Sequence, residues 1–176
     1  MKVWWIAIAL AFGLLSASGA QAQMISLSPQ HGPALGKTIR GSTATTFSIT
    51  TMGVVTRTSG DAIRMTSSGV SAPTVNFNCG LLNLGQLCAL RPVRVTIAPA
   101  SSGGPATISK LRISSLSGTT YRSGSAPVEA PVLVFELNPL GLLSTVSFKL
   151  GMDVVLSGGA QSGDWTYSYS VTVEFI

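Results

Sequence analysis

Downstream of residue 24 the chain alternates apolar and polar residues in short runs of period two, broken repeatedly by Gly, Pro and Ser. Such runs predict half-buried β-strands and hardly any helix. The alternation places strands at Ile25–Ser28, Thr46–Thr50, Val54–Thr58, Ala62–Thr66, Thr74–Asn78, Val93–Ala98, Thr107–Ser114, Pro131–Leu137, Val146–Leu156 and Trp165–Phe175. The clusters SPQHGP, SSGVSAP, ASSGGP, SLSGT, RSGSAP and SGGAQSGD read as the turns between them. GLLNLGQLCAL is the one stretch with helical character, and it is too short and Gly-broken to be more than a loop. Short strands at this spacing predict an all-β sandwich or barrel.

Three strands stand out. PVLVFEL is nearly continuous in apolar residues, which predicts a strand covered on both faces or central in the core. TVSFKLGMDVVL keeps Val146, Phe148, Leu150, Met152, Val154 and Leu156 in one phase, with Gly151 on the other side, where it could let the strand bend or bulge. WTYSYSVTVEF does the same with Trp165, Tyr167, Tyr169, Val171, Val173 and Phe175. Joined by SGGAQSGD, the last two read as one large hairpin. Each of their large side chains is worth about 1.5 to 3 kcal/mol when buried, so this face cannot stay in water and another layer must cover it.

The first residues change the picture from any protein to an exported one. MKVWWIAIALAFGLLSASGAQAQ has an early charge at Lys2, an apolar run from Val3 to Leu15 and small residues with an A-x-A site, Ala20 and Ala22, before Gln23. This is the pattern of a signal peptide over residues 1–22. The apolar run is short of the roughly 20 residues of a membrane span, so no stable span is expected after cleavage. Residues 23–176 then form a single domain, long enough to bury a core.

Composition and charge narrow the function. The whole chain has a formal net charge of +5, and without Lys2 it keeps ten basic and six acidic side chains. The basic residues are scattered singly, whereas a nucleic-acid binder clusters them with aromatics; no nucleic-acid partner is expected. The two cysteines, Cys79 and Cys88, lie in the exported part, where disulfides persist. A bridge closing that loop would contribute about 2.5 to 3 kcal/mol in the chain-entropy model.

Candidate chemistry is sparse. His31 is the only histidine and sits in a turn-like segment. The acids Asp61, Glu129, Glu136, Asp153, Asp164 and Glu174 are singletons, and no calcium loop, nucleophile elbow or phosphate-binding Gly loop is present. No catalytic, metal or cofactor site is expected, so the protein is not read as an enzyme. Exposed aromatics could form a sugar platform, but Trp165, Tyr167 and Tyr169 share the core-facing phase of the last strand, leaving Tyr121 as the fourth candidate.

The ending GDWTYSYSVTVEFI resembles the C-terminal signature of bacterial chaperone-usher pilus subunits and of the related spore-coat-protein-U-like secreted proteins, and the longer MDVVLSGGAQSGDWTYSYSVTVEF resembles the final hairpin of an uncharacterised family of pilin-like secreted bacterial proteins. Gly163 is fourteenth from the end and Phe175 penultimate, with Tyr169, Val171 and Val173 in phase between them. The resemblance implies an immunoglobulin-like, Greek-key β-sandwich that lacks a strand and is completed by a donor strand from a periplasmic chaperone or another pilus-type subunit. Gly163, Trp165, Tyr167, Tyr169, Val171, Val173 and Phe175 would form the partner-strand edge, and a basic residue of the chaperone would anchor the carboxylate of Ile176. The chain departs from that pattern at its other end: QMISLSPQHG offers only Ile25 and Leu27 before Pro29, a short donor. The cysteines also form a close mid-chain pair, where common pilins bridge strands farther apart. The expected function is a secreted structural or adhesion subunit, at the cell surface, in the periplasm or released. The alternative is a self-complete secreted β-sandwich that binds carbohydrate or protein at the cell surface, and a small outer-membrane barrel is a third reading.

Overall fold

A computed structural model of the chain describes residues 24–28, 35–66, 69–78, 90–100, 104–141, 144–165 and 167–176, with residues 24–28 described by their backbone. The segment expected to be a signal peptide, with Ala20 and Ala22, lies outside the described residues, as do His31, Cys79 and Cys88. Within them the chain is nearly all β. The strands are β1 (Met24–Ser28), β2 (Thr38–Ile39), β3 (Thr45–Ile49), β4 (Val55–Ser59), β5 (Ile63–Arg64), β6 (Thr74–Asn78), β7 (Val93–Ala100), β8 (Ala106–Ser117), β9 (Leu133–Leu137), β10 (Thr145–Leu156) and β11 (Ser168–Phe175). Every strand expected from the alternation is present, and the two-residue β2 is added. No helix among the described residues is long and apolar enough to cross a membrane.

β10 organises the larger sheet. One of its edges pairs antiparallel with β8 from Ser147 to Leu156. The other is shared: β6 takes Thr145 to Lys149 and β3 takes Met152 to Leu156, with β1 beyond β6 and β4 beyond β3. Gly151 stands where the partner changes. A Cβ there would lie 2.8 Å from Ile49 O, 2.9 Å from Thr51 N and 2.9 Å from the Arg112 side chain. The glycine thus serves close backbone approach, while the register shifts fall elsewhere, between Ser147 and Lys149 and between Asp153 and Val154. At the second shift Asp153 faces Lys110 and Val154 faces Ile108, leaving Ser109 as the extra residue on β8. The buried phase of β8 changes there from Ala106 and Ile108 to Leu111.

The second sheet runs β11–β7–β9, all antiparallel. Its inward rows are Phe175–Val93–Leu137, Val173–Val95–Phe135 and Val171–Ile97–Leu133. These meet the even-numbered face of β10, all of it buried, in one core that also takes Phe47, Ile49, Val75 and Phe77. The layers are a sandwich, with β2 and β5 pairing separately as a small ribbon. The described strands therefore fall into separate sheets and not into one closed cylinder.

Two expectations are corrected. β10 and β11 do not form a hairpin: they belong to different sheets, and residues 157–167 carry the chain across. Alternation says which face of a strand is apolar, and two such faces can be buried by opposing each other across a core as well as by lying side by side. PVLVFEL is not covered on both faces either. Leu133, Phe135 and Leu137 are buried, whereas Val132 and Val134 are 45% and 54% exposed. β9 is not an open edge, because residues 120–122 run beside it through Arg122 N to Glu136 O (2.9 Å) and Asn138 N to Thr120 O (3.0 Å).

Candidate functional site at the C-terminal strand edge

β11 is the last strand of its sheet and pairs only with β7 among the described residues. Its sequence alternates as read, and four of the seven candidate edge residues, Tyr169, Val171, Val173 and Phe175, project inward from it opposite Pro99, Ile97, Val95 and Val93. Burial falls away across the sheet. Val93, Val95 and Ile97 on β7 are fully buried, Val173 is 8% exposed, and Tyr169, Val171 and Phe175 are only half-buried against the core. An edge strand has neighbours on one side, so its inward side chains cover the core's margin without being covered themselves.

The other three candidates lie before the strand. Gly163 forms an antiparallel bridge with Thr38 in β2: Thr38 N donates to Gly163 O (2.9 Å), Gly163 N donates to Thr38 O (3.1 Å) and Thr38 Oγ1 also donates to Gly163 O (3.1 Å). Trp165 is partly buried and its Nε1 donates to Gln161 O at 3.1 Å. Tyr167 is buried in the core. The connection between the layers is held further by Arg40 N donating to Ser162 Oγ (2.9 Å) and Gly159 N to Gly41 O (3.0 Å). Sequence reading missed this ribbon as an anchor for the crossover, since a two-residue strand carries too little alternation to register.

The hydroxyls of Tyr167 and Tyr169 are buried and make no hydrogen bond to the described residues. Burial disfavours the phenolate and pushes Tyr169 up to about 12; Tyr167 is pushed higher still, against a partial pull downward from the nearby Arg64 charge. Tyr121 is half-buried and packs edge-on to Phe135 with centroids 6.0 Å apart. At the end of the strand Ile176 N donates to Pro92 O (3.0 Å), and Arg91 of this same chain reaches Ile176 O at 3.4 Å.

The acids are dispersed and mostly engaged. Asp61 accepts from the backbone N–H and hydroxyl of both Ser42 and Thr43, at 2.5 to 2.9 Å, which holds its carboxyl far below the usual range. Glu136 sits between Arg94 (2.9 Å) and Arg122 (3.2 Å), and the bond from Arg94 is the chief cause of its lowered pKa. Arg112 takes Asp153 at 2.5 Å and Glu129 at 2.9 Å while also donating to Ser48 Oγ at 2.8 Å, tying β8 to β10 and β3 on the outer face. No group of three metal-ligating side chains occurs among the described residues. Comparisons of the chain with protein-family models, with curated proteins and with solved structures found no match in any of the three.

Proposed function

We propose that the protein is an exported structural or adhesion subunit without catalytic activity, and that it accepts a partner strand along the free edge of β11. The carrying observation is the combination at β11 of a single pairing partner among the described residues with inward residues Tyr169, Val171 and Phe175 left half-buried beside the fully buried Val93, Val95 and Ile97 of β7. A strand laid against that edge would pair its outward backbone groups and complete the cover of those three side chains, the physics of β-augmentation. In the pilin-like, immunoglobulin-like class that the C-terminal signature resembles, such strands come from a periplasmic chaperone and from neighbouring subunits, and these are the proposed partners. Cleavage after Ala22 and a Cys79–Cys88 disulfide belong to the same reading of an exported chain.

One observation favours the alternative of a self-complete surface-binding sandwich. β1, the segment expected to be a short donor, pairs antiparallel with β6 of its own chain from Met24↔Asn78 to Ser28↔Thr74. The two readings separate in one experiment. A synthetic peptide of alternating valine and threonine, added in excess, is expected to raise the thermal midpoint and to slow amide exchange along residues 168–175. An unchanged midpoint with unprotected β11 amides would reject strand addition there and leave the self-complete reading.

A further inference from the structure

The strands that bound the two sheets are defended unequally. An edge with free backbone groups recruits other chains unless it is short, bulged, charged or covered. β4 spans five residues, has Thr58 as an extra residue against β3 and carries the exposed Arg57. β8 is interrupted by two register shifts, bears Lys110 and Arg112, and is bonded at Leu111 by Ala130. β1 spans five residues and is followed by Pro29, and residues 120–122 lie beside β9. β11 has none of these devices among the described residues. It runs eight residues in unbroken register with β7, contains neither glycine nor proline, and has Glu174 as its one charged side chain.

The ladder tells which backbone groups β11 offers. Ile176 N donates to Pro92 O, in line with the register Phe175↔Val93, and bonded pairs alternate along an antiparallel ladder. Glu174, Thr172, Ser170 and Ser168 therefore bond to β7 like Ile176. The N–H and C=O groups of Tyr169, Val171, Val173 and Phe175 point the other way, to the edge. These are also the inward residues.

We infer that the occupant of this edge is a second copy of the chain, the two β11 strands pairing antiparallel about a two-fold axis at Thr172. This rests on the strand-accepting reading above and names the partner. The strand is complementary to itself in that register: Tyr169 faces Phe175 of the partner subunit and Val171 faces Val173 of the partner subunit, so aromatic and β-branched pairs extend the inward row. About eight backbone bonds form at these positions. The two three-stranded sheets join into one continuous sheet. A two-fold axis that made the strands parallel would turn the inward rows to opposite sides, and only the antiparallel pair keeps them together. Each Glu174 stands opposite Ser170 of the partner subunit, which leaves the two carboxylates about 13 Å apart along the strands, beyond the Debye length of about 8 Å. A charged strand from another protein finds only Glu174 to address here, whereas β11 is itself an alternating strand of matching length.

Sedimentation equilibrium of the purified chain tests the inference, and a concentration-dependent dimer is expected. Thr172 is exposed and lies on the axis in a non-bonded pair, where Cα atoms are about 4.5 Å apart, within disulfide range. Thr172→Cys should cross-link to a dimer under mild oxidation; Ser170→Cys, about 13 Å from its own copy, and the unmutated chain should not. Thr172→Lys should weaken the dimer about tenfold or more by setting like charges face to face, and mixing it with Thr172→Glu should restore it. Thermal midpoints check that these outward-facing variants are folded. In the unmutated chain, amide exchange at Tyr169, Val171, Val173 and Phe175 should slow as concentration rises. A monomer at every concentration whose residues 168–175 the valine–threonine peptide still protects would overturn the second copy and leave strand acceptance standing. A monomer that the peptide leaves unchanged would overturn both, and a dimer that Thr172→Lys leaves intact would overturn the pairing at β11.

Discussion

The ring of Phe135 meets that of Phe148 edge-on, with centroids 5.8 Å apart and planes at 79°. Phe135 lies on β9 in the three-stranded sheet and Phe148 on β10 in the larger one, so this contact ties the two layers directly. Replacing either ring by alanine is expected to cost about 3 to 5 kcal/mol of stability. The double variant should lose less than the sum of the two, by about 0.5 to 1.5 kcal/mol, the coupling of an aromatic pair. Urea unfolding of the four proteins checks this; strictly additive losses would show that the rings do not couple the sheets.

Gly151 is expected to resist even the smallest side chain. Its Cβ position is blocked by backbone atoms of Ile49 and Thr51, not by the flexible ends of side chains alone, so the sheet must spread where β10 changes partner. Gly151→Ala should destabilise by about 1 to 3 kcal/mol. Gly104, with nothing near its Cβ position, should accept alanine within about 0.5 kcal/mol. Thermal midpoints of the two variants compare them directly.

Acid should weaken the fold through Asp61. Its folded pKa is depressed by hydrogen bonds from Ser42 and Thr43, so its contribution is full above the ordinary carboxylate pKa of about 3.9. The contribution is lost as pH falls through the lower folded value. The stability difference between the native chain and Asp61→Asn should therefore be constant at neutral pH and shrink below about pH 4. Denaturant unfolding from pH 2 to pH 7 measures it, and a difference that holds constant into strong acid would falsify the role given to this carboxylate. Glu136, lowered chiefly by its bond from Arg94, acts in the same direction.

Tyr167 buries a hydroxyl that makes no hydrogen bond to the described residues. Tyr167→Phe should keep the packing and remove that desolvated group, leaving stability unchanged or raising it by about 1 kcal/mol. Tyr167→Ala, which empties the site, should cost about 3 to 5 kcal/mol. A marked loss in the phenylalanine variant would point to a hydrogen bond that the hydroxyl makes through solvent.

The strands themselves were legible because period-two alternation reports local burial. Phe148, Leu150 and Met152 are read as inward from their neighbours alone, and the structure buries all three. The alternation of Tyr169, Val171, Val173 and Phe175 likewise placed most of the candidate edge. The rest of that edge was not legible: Gly163 is claimed by Thr38, a residue 125 positions away, and no local pattern encodes such a partner. Arg57 and Arg64 read as ordinary scattered charges in the sequence, and only the fold of β3, β4 and β5 brings both to the lining of one surface cleft.

The sequence by itself determined the all-β class, the positions of the longer strands and the inward side of β10 and β11, because these follow from side-chain polarity at a repeat of two. Only the tertiary structure decided which strands pair. It sent β10 and β11 to opposite layers, split one edge of β10 between β6 and β3 around Gly151, and left β11 with a single neighbour among the described residues. Pairing is settled by long-range competition for partners and by the fit of backbone to backbone, and the same alternating pattern is compatible with many such choices.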